Sequence, residues 1–238
     1  MPRFTNRPIS RPGRYTTRMP AYDLVAFDVD GTLIRDDRDR TVWEILNERF
    51  TGRSDVNVER FARYRRGEMS YAEWVELDIS GWRDAGAVRD DLIAAFGTLQ
   101  LVPGTRETLA RLRAADMRLV AISGTLDLML DTVFPDHPFH EVYTNHIGFD
   151  EEGRIRHWRA TPFDVEGKAD GLRAIAVREG ISLRRCAFVG DSSNDVWIAR
   201  AVGFAVAFNP KCRELEEVAD AIVREPDLRA ILPLLIPE

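Results

Sequence analysis

The 238-residue sequence contains little cysteine and no long apolar run, and both absences exclude classes of protein. Its two cysteines, Cys186 and Cys212, cannot form a disulfide framework, which favours a reducing compartment. No apolar stretch approaches the roughly 20 residues that a membrane-spanning helix needs. The apolar segment 231–236 is too short and contains Pro233. The sequence therefore predicts a cytoplasmic protein with no membrane partner.

Positive charge is scarce outside the first 20 residues. Lys and Arg number 33 against 39 Asp and Glu, which gives a net charge of −6. Residues 1–20 carry +5 and the remaining residues carry −11. Because nucleic-acid backbones bind to a clustered positive face, the acidic body argues against a nucleic-acid partner. The sequence carries no indication of oligomeric state.

The basic segment 1–20 contains four prolines, which exclude a continuous helix, and lacks the apolar stretch of a secretory signal. Three interpretations remain open. The segment is a disordered tail, a basic arm that contacts an acidic partner, or the result of a start codon upstream of Met19. Its composition favours a disordered basic N-terminal tail.

From residue 21 the hydrophobic pattern predicts alternating strands and helices. A short apolar strand at 22–27 is followed, between 41 and 97, by helical spacing that indicates three or four short helices. After Pro103-Gly104, turn signals within 142–158 indicate a β-hairpin. The other expected strands are 118–122, 186–189, 204–207 and 221–223, and the other expected helices are 105–115, 126–133, 169–179 and 196–202.

This alternation predicts an α/β fold, a three-layer Rossmann-like parallel sheet covered by helices on both faces. Residues 21–36 and 98–238 are expected to form the α/β core domain. The helical stretch 37–97 is expected to be inserted after the first strand as a small α-helical cap domain. Its tryptophans, Trp43, Trp74 and Trp82, are expected to fill the interior of this unit.

Four polar segments stand at strand ends or at the start of a helix, where open α/β sheets bind ligands. Each has an ordinary structural explanation as a cap, a turn or a solvated charge. Together, carboxylates from two strand ends suit Mg²⁺, and a lysine with backbone donors around one carboxylate suits attack on a phosphoryl group. The segments are Asp28-Val29-Asp30-Gly31-Thr32, Ser123-Gly124-Thr125, Lys168 and Gly190-Asp191-Ser192-Ser193-Asn194-Asp195.

These four motifs, in this order, resemble the haloacid dehalogenase superfamily, and within it the phosphoserine phosphatase-like branch with a helical cap after the first motif. The resemblance covers about residues 22–225, and the segment 202–209 adds to it. It implies that Asp28 is the nucleophile, which forms an aspartyl-phosphate, and that Asp30 is the general acid and base. Asp30 also argues against dehalogenation, because the dehalogenase branch works without a metal and needs no second carboxylate here.

The resemblance also implies the rest of the site. Mg²⁺ is expected on the carboxylates of Asp28 and Asp191 and on the main-chain carbonyl of Asp30. Phosphate is expected at Ser123, Gly124 and Lys168. Asp195 is expected to orient Lys168 or a metal-bound water, and Asn194 is expected to face the substrate.

Substrate choice in this branch depends on the cap, and here the sequence departs from the pattern. Phosphoserine phosphatases carry a cap Arg that clamps the serine carboxylate, but a gapless comparison puts Asp78 at that position, and an acid repels a carboxylate. Asp37 lies near the position of a family Glu, and Arg65, Arg66 or Arg83 could replace the missing cation. All of these charges are equally explained as solvated surface groups.

The sequence therefore predicts a phosphoric monoester hydrolase, a Mg²⁺-dependent, phosphoserine phosphatase-like enzyme that hydrolyses a small phosphomonoester through an aspartyl-phosphate. The alternatives are a phosphatase or phosphotransferase for another metabolite, such as a sugar or glycerate phosphate, and a non-catalytic protein that keeps the fold as a binding module.

Overall fold

The computed structural model describes residues 21–236, so the expectations for the basic tail lie outside the described residues. A seven-stranded sheet forms its centre, and a separate two-stranded ribbon lies beside it. The strands are β1 (Leu24–Phe27), β2 (Ile34–Asp36), β3 (Leu99–Leu101), β4 (Arg118–Leu126), β5 (Glu141–Phe149), β6 (Ile155–Arg159), β7 (Cys186–Gly190), β8 (Phe204–Phe208) and β9 (Ala221–Val223).

Helices cover both faces of the sheet and fill the segment between β2 and β3. They are α1 (Val42–Thr51), α2 (Val56–Arg65), α3 (Tyr71–Asp84), α4 (Arg89–Ala95), α5 (Thr105–Ala114), α6 (Asp127–Val133), α7 (Gly167–Glu179), α8 (Val196–Ala199), α9 (Arg213–Glu216) and α10 (Leu232–Leu235). Short 3₁₀ turns occupy Phe96–Thr98, Leu183–Arg185, Ser193–Asp195 and Leu228–Ile231. No helix among residues 21–236 is long and apolar enough to cross a bilayer.

The sheet has the order β6-β5-β4-β1-β7-β8-β9. All neighbouring strands are parallel except β5 and β6, which form the predicted hairpin. The central strand β1 is buried on both sides, because Val25 and Phe27 pack into one hydrophobic cluster and Leu24 and Ala26 into the other. The continuous apolar run of β1 follows from this double burial. The predicted three-layer α/β fold is confirmed.

The segment between β2 and β3 forms four helices, α1 to α4, in agreement with the three or four expected. It leaves and rejoins the rest of the chain through the β2–β3 ribbon, in which Asp36 pairs with Leu99. The Thr98 hydroxyl also donates a hydrogen bond of 2.6 Å to Asp36. The sequence analysis did not predict this ribbon, since three-residue strands are too short to show an alternating pattern.

Two elements differ in length from the prediction by three residues or more. Strand β4 continues through Ser123 to Leu126 instead of ending at Ile122. Helix α8 is four residues long instead of seven. The Asp195 carboxylate accepts hydrogen bonds from the backbone N–H groups of Asp191 and Ser192 and caps a 3₁₀ turn over Ser193–Asp195. The α-helix begins at Val196, as predicted, but ends at Ala199 instead of residue 202. The N–H of Ala201 bonds back only three residues, to the carbonyl of Ile198, so the chain leaves the α-helical pattern there.

Candidate active site

The carboxyl ends of β1, β4 and β7 open into a cavity of about 330 Å³, within the usual size of small-molecule sites. We call its two sides the floor and the roof. The floor is formed by the sheet loops and contains Asp28, Asp30, Ser123, Gly124, Thr125, Asp164, Val165, Asp191, Ser192, Ser193, Asn194 and Lys211. The roof is formed by the segment between β2 and β3 and contains Asp39, Thr41, Trp43, Glu44, Asn57, Val58, Phe61, Tyr71, Trp74 and Val75.

A buried ammonium group lies beneath the floor. Lys168, near the start of α7, has no exposed surface, and its Nζ donates to Asp28 Oδ1 and to Asp195 Oδ1, both at 2.6 Å. Burial by itself lowers the pKa of Lys168, but the negative charges of Asp195 and Asp28 outweigh this effect and raise the pKa above its usual value. Lys168 therefore supplies a permanent positive charge beside Asp28.

Asp195 is fully engaged by neighbouring donors. Its Oδ1 accepts from Lys168, and its Oδ2 accepts from the backbone N–H of Asp191 at 2.9 Å and of Ser192 at 3.1 Å. Burial raises the pKa of Asp195, and the charge of Lys168 opposes that rise. These contacts fix the position of Lys168 and leave Asp195 little capacity for another ligand.

Three buried carboxylates, those of Asp28, Asp191 and Asp195, each have an oxygen within 4.8 Å of the others, which is close enough to share a cation. Because Asp195 is already engaged, Asp28 and Asp191 are the better candidates. Asp191 Oδ2 is buried and accepts no well-aligned hydrogen bond, although the Nζ of Lys211 lies 3.0 Å away. Buried carboxylates require a countercharge, and an all-oxygen donor set fits a hard divalent cation.

Burial also raises the pKa of Asp191, and the charge of Asp28 adds to the effect while Lys211 opposes it. The pKa of Asp191 stays raised even though Lys211 lies beside it, so the ionised form is costly without a further positive charge. This electrostatic strain is a second indication that the carboxylates fit a cation.

Gly31 brings the first motif into contact with the fourth. Its backbone has a φ of +88°, a conformation that residues other than glycine rarely adopt. A Cβ atom at this position would lie 2.1 Å from Asp191 Oδ2 and 2.8 Å from Lys211 Nζ. The motif needs glycine here because the chain passes directly against the carboxylate of the other strand end.

Asp30 lies between the floor and the roof. Its Oδ2 accepts a hydrogen bond of 3.1 Å from the backbone N–H of Val42, the first residue of α1. Burial raises the pKa of Asp30 to about 7; the negative charges of Asp28 and Glu44 also raise it, whereas the Val42 hydrogen bond lowers it. A carboxyl group with such a pKa can hold or release a proton near neutral pH.

The Ser123-Gly124 segment near the end of β4 is held from two sides. The Gly124 carbonyl accepts from the Trp43 indole N–H at 2.8 Å and from the Asn145 amide at 2.6 Å. A Cβ atom on Gly124 would lie 2.1 Å from Asp164 Oδ2. Ser123 is buried, and its Oγ accepts from the Thr125 N–H at 3.3 Å. These contacts fix this segment against both the sheet and the roof.

The structure brings most of the sequence-predicted residues together. Asp28, Asp30, Ser123, Gly124, Lys168, Asp191, Asn194 and Asp195 all lie in or directly beneath the floor. Asn194 donates to Asp164 at 3.2 Å. The expected position of Asp195 beside Lys168 corresponds to the contact described above.

None of the five residues suggested for substrate choice lines the cavity among the described residues. Arg66 pairs with Glu68, and Arg83 pairs with Asp84. Asp37 is exposed in the turn after β2, and Arg65 is exposed at the end of α2 with its guanidinium 6.0 Å from the Phe61 ring centre. Asp78 is buried inside the helical segment, where it pairs with Arg60 and accepts from Asn47 at 2.6 Å. The cap position that the gapless comparison assigned to Asp78 is therefore a buried position outside the cavity lining.

Several cavity residues were missed by the sequence analysis. Lys211 lies two residues beyond the segment 202–209, and a lysine three residues after the end of β8 was a usable signal. Asp164 and the roof aromatic residues Trp43, Phe61, Tyr71 and Trp74 come from loops and helices without a recognisable local motif. Of these, Trp43 and Trp74 were assigned only to the interior of the helical unit.

Comparison with known proteins identifies the family of this chain. A model of haloacid dehalogenase-like hydrolases matches residues 22–203. A phosphoserine phosphatase of Mycobacterium tuberculosis is 31% identical over 89% of this chain, and one of Idiomarina loihiensis is 28% identical over 89%. The chain spans about half of the first relative, 50% of its length, and 93% of the second.

Solved structures show the same fold. One described as "Phospho-Aspartyl Intermediate Analogue of Phosphoserine phosphatase" superposes with a TM-score of 0.73, covering 90% of this chain and 99% of that chain at 22% identity. An apo structure of a phosphoserine phosphatase gives a TM-score of 0.72 at 21% identity.

Proposed function

Because the chain belongs to the haloacid dehalogenase-like hydrolases, we propose that it is a Mg²⁺-dependent phosphatase that hydrolyses a small phosphomonoester through a phosphorylated Asp28. The main support is the contact of Lys168 with Asp28 at 2.6 Å, together with Asp191 and Asp30 in the same cavity. Residues 37–97 would act as a cap domain over a core domain of residues 21–36 and 98–238.

In the first step, a carboxylate oxygen of Asp28 forms a bond to phosphorus while the bond from phosphorus to the alcohol oxygen breaks. Asp30 transfers its proton to the departing oxygen, which its pKa of about 7 allows near neutral pH. Lys168 and the backbone at Ser123-Gly124 balance the charge of the transferring group, whose transition state is stabilised mainly by positioning and countercharge.

In the second step, Asp30 accepts a proton from water, and the water oxygen bonds to phosphorus as the bond to Asp28 breaks. Orthophosphate leaves and both aspartates return to their starting states. Asp28 and Asp191, with the Asp30 carbonyl, would hold Mg²⁺, which when bound supplies positive charge to the phosphoryl oxygens. Asp195 holds Lys168 in place throughout.

The proposal is tested by phosphate release with and without Mg²⁺. Asp28→Asn removes the nucleophile, so we expect turnover to fall at least a thousandfold. Asp30→Asn should slow hydrolysis of alkyl phosphates by about 10²–10⁴-fold, the usual contribution of a general acid. Phosphorylation by p-nitrophenyl phosphate should be spared, because its leaving group needs no proton, and phosphoenzyme should accumulate.

The control variant is Asp90→Asn, at a side chain that is 92% exposed and distant from the cavity lining. Its turnover should equal that of the wild type. If Asp28→Asn retains Mg²⁺-dependent turnover, the proposed mechanism is wrong. Product analysis with added alcohols separates transfer to water from transfer to another acceptor.

A further inference from the structure

Resting on the proposed phosphatase function, we propose that the alcohol part of the substrate carries a cationic amine and no carboxylate. The groups suited to the phosphate, namely Lys168, the Ser123-Gly124 backbone and the carboxylate cluster, all belong to the floor. A phosphomonoester bound there extends its alcohol part toward the roof. The roof residues therefore determine which alcohols are accepted.

The roof presents aromatic rings to the cavity. Trp43, Phe61, Tyr71 and Trp74 all line it, and the ring centres of Phe61 and Tyr71 lie 6.1 and 6.0 Å from that of Trp74. Aromatic faces attract ammonium groups within about 6 Å, and the attraction grows as the site is desolvated. The aromatic rings of the roof also exclude water from the cavity, and charge interactions in the cavity are stronger when water is excluded.

The charged groups of the roof are negative. Asp39 and Glu44 line the cavity, and Glu44 is close enough to Asp30 for its charge to raise the pKa of that carboxyl. Glu44 therefore stands near the reacting end of the cavity. Among the described lining residues, Lys211 is the one basic side chain, and it belongs to the floor beside Asp191.

No arginine lines the cavity among the described residues. Arg60 of α2 pairs with buried Asp78, and Arg40 binds Asp36 at 2.9 Å. Arg65 stacks 6.0 Å from the Phe61 ring centre, but its side chain lies outside the cavity lining. A substrate carboxylate in the roof would thus face two acids with no guanidinium in the lining to clamp it. An ammonium group would be favoured by both the acids and the rings.

Four small phosphomonoesters distinguish the effect of an ammonium group on the alcohol part from the effect of a carboxylate. Ethanolamine phosphate carries the amine alone, phosphoglycolate the carboxylate alone, phosphoserine both and ethyl phosphate neither. We expect kcat/KM for ethanolamine phosphate to exceed that for ethyl phosphate by about tenfold, and phosphoserine and phosphoglycolate to be slower than ethanolamine phosphate by more than tenfold. Equal values, or a preference for either carboxylate, would overturn the inference.

A conservative variant tests the role of Glu44. In the N-terminal cap of α1, Glu44 Oε2 accepts from the Thr41 N–H at 2.7 Å and from the Thr41 hydroxyl at 3.0 Å, and glutamine can keep this capping box. Glu44→Gln should therefore remove the charge without unfolding α1. We expect it to reduce the ratio of kcat/KM for ethanolamine phosphate over ethyl phosphate about tenfold, mainly through KM.

The chain contains a matched control. Glu73 makes the same capping box with Ser70 at the start of α3, with contacts of 2.7 and 2.8 Å, but it does not line the cavity. Glu73→Gln should leave the substrate ratio unchanged. If both variants change the ratio equally, the effect is structural and the assignment of Glu44 is wrong.

Hydrolysis of p-nitrophenyl phosphate with Mg²⁺ separates the two proposals. If this ester is hydrolysed but ethanolamine phosphate has no advantage over ethyl phosphate, the phosphatase function stands and the amine preference fails. If p-nitrophenyl phosphate and the four small esters are all left unhydrolysed, the proposed function fails, and the amine preference fails with it.

Discussion

At the scale of single residues, the site depends on close approaches that a side chain would block. Gly31→Ala would place a methyl group 2.1 Å from Asp191 Oδ2 at a φ of +88°. Because the clash displaces both the first motif and the carboxylate, we expect kcat to fall at least a hundredfold in a phosphate-release assay. Gly97→Ala is the control, since a Cβ there meets nothing within 4 Å and its activity should not change.

Single residues also show why one part of the site was predictable and another was not. Asp28 and Asp191 follow buried strands directly, so the end of an apolar run marks them in the sequence. Lys168 stands out because a cation near a helix N-terminus opposes the helix dipole. Asp164 and Glu44 carry no such mark, because their positions result from how distant segments pack.

At the scale of elements, three helices of the roof segment meet at one buried polar cluster. Asp78 of α3 accepts from Asn47 of α1 and pairs with Arg60 of α2, and Asn47 also accepts from the Trp82 indole at 2.8 Å. Helical periodicity indicates that Asp78 lies on the buried face of α3, since Trp74, Asp78 and Trp82 recur every four residues along that face. The gapless comparison with phosphoserine phosphatases took no account of this periodicity and treated Asp78 as a residue that meets the substrate.

This cluster makes the stability of the helices depend on pH. Burial raises the pKa of Asp78 from 3.8 to about 6. Since the folded pKa is the higher one, the contribution of this site to the free energy of unfolding is fully present below pH 4 and is lost as pH rises through 6. A shift of this size corresponds to up to about 3 kcal/mol.

We expect the free energy of unfolding of the wild type, minus that of Asp78→Asn, to fall by up to about 3 kcal/mol between pH 4 and pH 7. Denaturant unfolding at several pH values measures it, and taking the difference cancels the titration of other groups. The control is Asp84→Asn, at the exposed last residue of α3. The free energy of unfolding of the wild type minus that of this variant should not fall between pH 4 and pH 7. An unchanged difference for Asp78→Asn would contradict the assignment.

At the scale of the whole molecule, buried carboxylates without a metal ion reduce the stability of the folded state. Mg²⁺ binding to the folded protein should therefore raise the melting temperature, independently of catalysis. Saturation at a hundred times the dissociation constant contributes about 2.7 kcal/mol. For a chain of this size we expect an increase of roughly 5–10 °C.

Calorimetry of three proteins checks this prediction. Asp191→Asn should abolish the Mg²⁺-dependent increase, whereas Asp90→Asn should retain it, because Asp90 is exposed and lies outside the carboxylate cluster. Equal increases in all three proteins would mean that the cation binds elsewhere.

The overall topology was predictable because parallel strands have continuous apolar runs and helices have a 3.6-residue period. The hairpin of β5 and β6 was marked by its turn residues. The sequence did not predict the β2–β3 ribbon, and it did not predict that Trp43 would reach the carbonyl of Gly124. Both depend on contacts between segments that are far apart in the chain.

The pairing of Asp36 with Leu99 has an evolutionary consequence. It brings the two junctions of the inserted stretch side by side, with every residue assigned to phosphoryl chemistry outside them and every residue of the roof inside. Exchange of residues 37–97 with a homologous stretch should transfer the preference for one alcohol over another. The reaction itself is preserved when the new stretch keeps the hydrogen bonds that Val42 and Trp43 make to Asp30 and Gly124. The residues that determine alcohol specificity and the residues that determine the chemistry would then lie in separate segments of the chain, and each set could change in evolution without the other.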